Sequence, residues 1–373
     1  MTNEVAFIAC VNYGPALSEA VDRIFSLTGW LSQPTLAGKR VLLKPNLLTD
    51  RTPEQAVTTH PELVRQVIRR FKAAGAIVSV GDSPASTANL RNVWQTTGMA
   101  AVCAEEDVPL LSLEQAGVQP FEIDGFSFSV AKPILEAELI VNLPKVKSHS
   151  LTMLTAAVKN MYGAVPGYSK TTLHRLYPKP DVFGRLIQAI WQVIPPTWTI
   201  ADAVVGMEGQ GPANGRPIKL GFLAASDNPF ALDRALCDVL HIDVRRVPYL
   251  SPLEARGERI AYARTGDCVL VSSFEIPSGA HLLQLLPNWL VKSAGRVVWV
   301  RPAFSTETCI GCSKCVHACP VQAVALDEQT RKPVLDPRRC ISCGCCHEVC
   351  PTGAIRMTQS NVLRLLKVFK GIE

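Results

Sequence analysis

One cysteine pattern occurs twice in the C-terminal part of the chain. The first copy is Cys309-x2-Cys312-x2-Cys315-x3-Cys319-Pro320, and the second copy is Cys340-x2-Cys343-x2-Cys346-x3-Cys350-Pro351. Together the two copies take up eight of the thirteen cysteines. In each copy the spacing allows three cysteines to share one tight loop, while the fourth begins a short helix that leads away. This segment is therefore expected to fold around two centres of thiol ligation.

Thiolates are soft ligands that suit iron–sulfur clusters. This spacing is the one found in bacterial two-cluster ferredoxins, in which the fourth cysteine of each copy ligates the cluster of the other copy. The pattern therefore predicts two [4Fe–4S] clusters and one-electron transfer. The predicted ligands are Cys309, Cys312, Cys315 and Cys350 for the first cluster, and Cys340, Cys343, Cys346 and Cys319 for the second.

Two other chemistries use closely spaced cysteines. CxxC pairs also bind zinc, but zinc sites rarely add a third cysteine at the same step and a fourth before proline. Disulfide frameworks belong to small secreted domains, which disfavours them in a chain of 373 residues. Cys345 could replace Cys346 as a ligand, but the second copy would then lose its match to the first. We interpret Cys345 as a non-ligand close to a cluster.

The length of the chain allows two or three domains. We divide it into an α/β domain at 1–280, a linker at 281–302, a cluster module at 303–358 and an amphipathic tail at 359–373. The linker and the tail each have apolar character, so contact with a membrane surface is the alternative to packing on the body. Packing on the body is the expectation for both segments.

Composition excludes several classes of protein. A hydrophobic content of 47% and a mean hydropathy of +0.16 are typical of a well-buried globular chain. The net charge is only +6, and no basic stripe is interleaved with aromatic residues, so nucleic acid is not expected as a partner. We find neither a secretory signal nor an uncharged apolar run of about 18 residues, so no transmembrane segment is expected. The scattered remaining cysteines favour a reducing, cytoplasmic location.

The first 280 residues alternate strand-like and helix-like segments. Apolar runs at 41–43, 77–80 and 139–141 predict buried strands. Apolar residues on one face of 61–74 predict a helix, and another helix is expected from Leu151 to Met161. This alternation predicts an α/β domain with a largely parallel sheet. Hairpins are expected around Asp124-Gly125 and, in the ferredoxin-like α+β cluster module, between 323 and 335.

Polar side chains follow several of the predicted strands. They are Lys44 and Asn46, then Asp82, then Lys145, Lys147 and His149. In open α/β sheets ligands bind beyond the carboxyl ends of the strands, so we expect these residues to converge at one edge. The expected helix 151–161 adds Lys159 and Asn160, and a glycine-rich segment at 206–215 contains Glu208. Such a set of lysines, a histidine and carboxylates suits an anionic ligand and proton transfer.

The polar segments also resemble a known family, DUF362. The matching segments are Lys44-Pro45-Asn46, Gly81-Asp82-Ser83-Pro84, Leu143 to His149, Ala157 to Asn160, Gly206 to Pro212, and Asn228 to Asp233. The family frequently combines this domain with a C-terminal two-cluster ferredoxin module, and the resemblance extends over about residues 4–358. It implies an iron–sulfur protein of redox type, but it supplies no substrate and no catalytic roles.

A reductase is the favoured function. Electrons would pass through the two clusters to an anionic substrate or cofactor in the α/β domain. The anion would be bound by Lys44, Asn46, Lys145, Lys147, Lys159 and Asn160. Protons would come from His149, Asp82, Glu208 or a lysine, and His149 is preferred because the ordinary pKa of imidazole is near neutrality.

Two other functions stay open. The chain could be a non-catalytic electron-transfer adapter that docks a partner enzyme, and a redox sensor is a third possibility without a recognisable effector domain. A redox partner such as a ferredoxin or a reductase is expected. No fingerprint requires a flavin, so the two clusters are the only cofactors predicted.

Overall fold

The computed structural model describes residues 3–32, 36–85, 88–256, 260–277 and 299–362. The predicted linker falls within this part of the chain only at 299–302, and the predicted tail only at 359–362. The remaining predictions for these two segments lie outside the described residues.

The described residues form sixteen strands and twelve α-helices. The strands are β1 (Asn3–Ala9), β2 (Arg40–Pro45), β3 (Ile77–Asp82), β4 (Leu110–Ser112), β5 (Val118–Ile123), β6 (Phe126–Ala131), β7 (Leu139–Leu143), β8 (Lys145–His149), β9 (Met153–Thr155), β10 (Thr197–Glu208), β11 (Arg216–Ser226), β12 (Tyr262–Gly266), β13 (Val300–Phe304), β14 (Val324–Leu326), β15 (Pro333–Leu335) and β16 (Ile355–Gln359). The helices are α1 (Pro15–Thr28), α2 (Pro61–Ala73), α3 (Leu90–Thr96), α4 (Met99–Glu105), α5 (Lys132–Glu136), α6 (Ala157–Asn160), α7 (Gly167–Leu176), α8 (Pro180–Trp191), α9 (Pro229–Val239), α10 (Ser251–Ala255), α11 (Lys314–His317) and α12 (Cys345–Glu348).

A ten-stranded sheet organises the large domain. Its main path runs β12-β1-β11-β10-β7-β2-β3-β4, and β8 pairs with β10 and β9. The neighbours from β10 through β7, β2 and β3 to β4 are all parallel, whereas β11 is antiparallel to both β1 and β10. The predicted α/β class with a largely parallel sheet is confirmed.

Both faces of this sheet are buried. Side chains alternate along a strand, so Val41 and Leu43 belong to one hydrophobic core while Leu42 belongs to the other. Helices α1, α2 and α4 cover the first core, and α8 and α9 cover the second. Burial on both sides explains why these strands are continuous apolar runs in the sequence.

The helix predicted from Leu151 to Met161 is wrong. The chain forms β8, turns, forms β9 antiparallel to β8, and only then begins α6 at Ala157. The turn is fixed by His149, whose Nδ1 accepts hydrogen bonds from two backbone N–H groups of the turn. The carboxylate of Asp233 accepts hydrogen bonds from the first two N–H groups of α6, so the helix starts there. The segment 145–149, expected to follow a strand, is itself a strand.

The cluster module is a small α+β unit. β13 pairs with β16, and β14 pairs with β15 in the predicted hairpin, which is therefore confirmed. The hairpin at Asp124-Gly125 is confirmed as well, since β5 and β6 pair on either side of it. The module contacts the large domain directly, because Arg51 and Asn214 donate hydrogen bonds to the carbonyls of Cys350 and His347. The two parts of the chain thus meet around the second cysteine run.

Candidate active site

A cavity of about 90 Å³ lies where the ends of β2 and β3 meet β8, α7 and the cluster module. This space is enough for several water molecules or one small organic molecule, since a single water needs about 10–15 Å³ on this measure. Seven of the nine predicted catalytic and substrate-binding residues line it. They are Lys44, Asn46, Asp82, Lys147, His149, Lys159 and Asn160.

The other two predicted residues lie elsewhere. The Lys145 ammonium is buried. It donates hydrogen bonds to an Asp202 carboxylate oxygen at 2.7 Å and to the Tyr13 hydroxyl oxygen at 2.9 Å. Glu208 accepts a hydrogen bond from Arg216 at 2.8 Å. These contacts engage both side chains in the large domain, away from the residues that line the cavity.

Lys44 and Asp82 form a buried ion pair in the cavity wall. Their side chains are 1% and 5% exposed, and Lys44 Nζ lies 2.7 Å from Asp82 Oδ1. The second carboxylate oxygen accepts the backbone N–H of Leu47 at 2.7 Å. Gly163 leaves room for this pair, because a Cβ atom there would lie 2.5 Å from Lys44 Nζ and 2.7 Å from Asp82 Oδ1. The pair is thus held rigidly between two parallel strand ends.

A hydrogen-bond network connects the next three polar residues. Lys147 Nζ donates to Asn46 Oδ1 at 2.9 Å and to the Val57 carbonyl at 2.6 Å. Asn46 in turn donates to Asn160 Oδ1 at 2.9 Å. Burial, reinforced by the nearby Lys159 ammonium, lowers the pKa of Lys147 to about 7. Lys147 therefore exchanges a proton near neutral pH.

Lys159 is the cavity lysine with the fewest partners. Its Nζ lies 5.3 Å from the centroid of the Tyr162 ring and 5.9 Å from that of Phe183. Within the described parts of the chain its ammonium has neither a hydrogen bond nor an ion pair. Burial lowers its pKa, an effect that the Glu348 carboxylate opposes. This cation is therefore available to a ligand.

His149 is a neutral hydrogen-bonding group. Its Nδ1 accepts backbone hydrogen bonds, so the proton of the neutral ring lies on Nε2. Burial, with Lys159 next in effect, holds the pKa of His149 well below its ordinary value. The imidazole thus presents an N–H donor at neutral pH. The sequence predicts that His149 titrates near neutrality, but its lowered pKa places the titration below that range.

Helix α7 adds two residues that were not anticipated. Lys170 and His174 lie four residues apart, on one face of the helix, and both line the cavity. Lys170 donates to the carbonyl of Ser83, and burial lowers its pKa to about 8. The spacing was visible in the sequence, but nothing there placed this helix above the ends of β2 and β3.

The cluster module supplies the remaining wall of the cavity. Cys345 and Glu348 of α12 line it, as do Ala318 and Val349, which are the neighbours of two predicted cluster ligands. Glu348 Oε1 is buried without a hydrogen bond among the described residues. Thr155 Oγ1 and His174 Nδ1 are likewise buried without a hydrogen bond among the described residues. Three polar atoms of residues that line the cavity thus have no hydrogen bond within the described part of the chain.

Eight cysteines surround two further, smaller cavities. One cavity is lined by Cys309, Cys312, Cys315 and Cys350, and the other by Cys319, Cys340, Cys343 and Cys346. The fourth cysteine of each run thus lies with the first three of the other run. Cys345 lines the candidate active-site cavity and neither of these two.

The donor set of each small cavity fits a [4Fe–4S] cluster. Each offers four thiols, and backbone N–H groups of Gly311 and Ala323 already donate to the sulfurs of Cys309 and Cys319. Hydrogen bonds of this type to cluster sulfurs tune reduction potentials. No three His, Cys, Asp or Glu side chains among the described residues are gathered closely enough for a single metal ion.

Known protein families match both the large domain and the cluster module. The family model "Domain of unknown function (DUF362)" matches residues 41–238, and the model "4Fe-4S dicluster domain" matches residues 308–354. A thylakoid-associated protein of Synechocystis sp. is 36% identical over 222 residues, which is 59% of this chain and 68% of that protein. In the described part of the chain no helix has the length and apolar character needed to cross a membrane.

Two solved structures match parts of this chain. The lactate racemase apoprotein from Thermoanaerobacterium thermosaccharolyticum matches with a TM-score of 0.42 and 12% identity, over 66% of this chain and 57% of that one. A protein from Thermotoga maritima matches with a TM-score of 0.38 and 13% identity, over 60% of this chain and 57% of its own length. The chain therefore spans less than two thirds of either solved protein.

Proposed function

The chain belongs to the DUF362 family and carries a 4Fe-4S dicluster domain for electron transfer, and from this premise we propose that it is a reductase. Its substrate is a small anion bound in the cavity between the sheet and the cluster module. Helix α12 carries the main observation behind this proposal. That helix contains Cys346, a ligand of one predicted cluster, and also Cys345 and Glu348, which line the cavity.

The charge of the cavity supports an anionic substrate. Its lysines are Lys44, Lys147, Lys159 and Lys170, whereas its carboxylates are Asp82 and Glu348. Lys44 is neutralised by Asp82, which leaves three lysines against one carboxylate. When protonated, these lysines stabilise negative charge that develops on a bound substrate.

Two lysines are suited to carry the protons of the reaction. The pKa values of Lys147 and Lys170 are lowered to about 7 and about 8, so each can give and recover a proton near neutrality. Neutral His149 positions Glu348, whose Oε1 lies 3.4 Å from its Nε2, beside the substrate. Asp82 is occupied by Lys44 and a backbone N–H, and Glu208 is bonded to Arg216, so neither is assigned proton transfer here.

Two [4Fe–4S] clusters are proposed as the resident cofactors, held by the two groups of four cysteines. When bound, they supply electrons one at a time. Cys312 is an exposed ligand of the first group, and it offers an entry point for a redox partner such as a ferredoxin. A reducing compartment such as the cytoplasm is proposed because Cys10, Cys103 and Cys237 are buried free thiols.

A cluster-oxidation assay tests the reductase. The anaerobically purified protein is reduced, the excess reductant is removed, and the visible absorbance of the clusters is followed while small organic anions are added. We expect at least one anion to reoxidise the clusters in wild type and not in His149→Ala, which should retain full iron content. Unchanged oxidation in His149→Ala would refute the role of that residue.

If the chain is an adapter, the cluster-oxidation assay on the same preparation should give a different result. An adapter would keep its clusters reduced with every small anion and would co-purify with a protein that oxidises them on mixing. The Lys219→Met variant, which changes an exposed lysine of the large domain, serves as the control for a substitution outside the cavity.

A further inference from the structure

The cavity contains two ionisable side chains with few partners: Lys159 has no hydrogen bond or ion pair among the described residues, and Glu348 contacts His149 without a hydrogen bond to its Oε1. Among the described residues the ammonium of Lys159 contacts only aromatic ring faces, and Glu348 Oε1 makes no hydrogen bond, its nearest basic atom being His149 Nε2 at 3.4 Å. The other cavity lysines are each engaged: Lys44 by Asp82, Lys147 by Asn46 and Lys170 by Ser83.

Unpartnered polar atoms in a protein interior are costly, and native structures keep few of them. Thr155 Oγ1 and His174 Nδ1 in the same wall are also unsatisfied. A ligand that binds here must therefore be polar at more than one point. It must meet a cation at one point and a carboxyl oxygen at another.

We infer that the cavity binds a small carboxylic acid that also carries a hydroxyl group, with Lys159 binding its carboxylate and Glu348 hydrogen-bonding its hydroxyl. This inference rests on the proposed function only in taking this cavity as the substrate site. A hydroxyl is both a donor and an acceptor, so it pairs with a carboxyl group in either protonation state. The volume of about 90 Å³ restricts the acid to a few heavy atoms.

A phosphate is a poorer fit to the same wall. It carries close to two negative charges at neutral pH, and Asp82 and Glu348 would both lie near it. Because Glu348 belongs to α12, the hydroxyl is recognised by the cluster module while the carboxylate is recognised by the large domain.

Acetate and glycolate are a matched pair of probes, since they differ by one hydroxyl. Thermal unfolding of the anaerobic, oxidised holoprotein is followed by circular dichroism at increasing concentrations of each acid, with potassium chloride as the ionic-strength control. A ligand that binds the native state raises the midpoint by an amount that yields its Kd. We expect glycolate to bind wild type about fivefold more tightly than acetate, the gain of one hydrogen bond.

Two substitutions locate the contacts. Lys159→Met should abolish stabilisation by both acids, while Lys159→Arg should retain it. Glu348→Leu should leave binding of acetate in place and remove the preference for glycolate, and Glu348→Gln should retain part of that preference. Lys219→Met and Glu328→Leu, at exposed positions, should behave as wild type.

Equal affinity of wild type for the two acids would overturn the inference, and so would stabilisation by phosphate as strong as that by glycolate. Retention of the preference in Glu348→Leu would also overturn it. If Glu348→Leu does not fold, the comparison of the acids on wild type decides alone. Binding of glycolate without oxidation of the clusters by any anion would refute the reductase and leave this inference in place.

Discussion

His149 Nε2 lies 3.4 Å from Glu348 Oε1, a contact between the last residue of β8 and the last residue of α12. The two residues are far apart in the sequence and belong to different parts of the fold. Their contact brings the cluster module onto the strand that also contains Lys147. Residues of both the sheet and the cluster module therefore form the wall of the cavity.

Serine substitutions should separate the roles of the adjacent cysteines Cys345 and Cys346. Cys346 lines a cavity with three other cysteines, whereas Cys345 lines the candidate active-site cavity. We expect Cys345→Ser to retain full iron and acid-labile sulfide, and Cys346→Ser to lose about half of each, since one of two clusters is affected. Iron and sulfide analysis per chain measures both. The reverse pattern would exchange the two assignments.

Removing the carboxylate from the Lys44–Asp82 pair should be costly. Asp82→Asn leaves a buried ammonium without its counter-charge, and we expect a loss of about 3–5 kcal/mol in the free energy of unfolding. Urea titration of the anaerobic protein measures it. Glu138→Gln is the control, because its ion pair with Arg40 is at the surface and is worth under about 1 kcal/mol. Similar losses in the two variants would count against a buried pair.

The depressed pKa of Lys147 makes stability depend on pH. Its folded pKa is about 7 and its ordinary value is 10.5, so between these limits the unfolded chain binds more protons than the folded one. The contribution of Lys147 to the free energy of unfolding therefore rises with pH across this window. The groups acting on it are Lys159, Glu348, Lys145 and Asp82.

Lys147→Met should remove this rise, so its stability curve should be flatter than that of wild type between pH 7 and 10. Lys219→Met should retain the wild-type slope, because that lysine is exposed. Urea unfolding at several pH values gives the curves. Identical slopes in Lys147→Met and wild type would show that Lys147 titrates normally in the folded protein.

His149 should have a structural role that is separable from its role in the cavity. His149→Ala leaves two backbone N–H groups of the β8–β9 turn without an acceptor, and we expect a loss of about 1–3 kcal/mol. His149→Asn keeps an acceptor near the position of Nδ1 and should recover at least half of that loss. Thermal unfolding compares the variants. No recovery by asparagine would mean that the imidazole packing, and not the hydrogen bonds, stabilises the turn.

Local signals were sufficient for much of the large domain. Strands such as 41–43 are buried on both faces, so they are apolar runs that a sequence displays directly. The Asp124-Gly125 turn is equally local, because the residues that adopt positive φ are the turn residues themselves. The spacing within each run predicted which three cysteines share a loop, and the two-copy pattern predicted that the fourth comes from the other run.

Long-range contacts account for what the sequence did not predict. The segment after His149 is a hairpin because Asp233, far along the chain, supplies the acceptors that begin α6. Lys145 and Lys147 are two residues apart on one strand, yet the first meets Asp202 and the second meets Asn46. The pKa values of the cavity groups depend on burial, which is decided only when sheet, α7 and module are assembled.

Helix α12 is a single turn that contains Cys346 of one ligand group and lies just before Cys350 of the other. Its residues Cys345 and Glu348 line the cavity. Protein segments that bind metal centres commonly become ordered only when the centre is in place. Maturation with iron and sulfide would then be the same step that encloses the cavity. On the proposed function, the iron supply of the cell would thereby limit how many copies of this protein are able to retain a small acid.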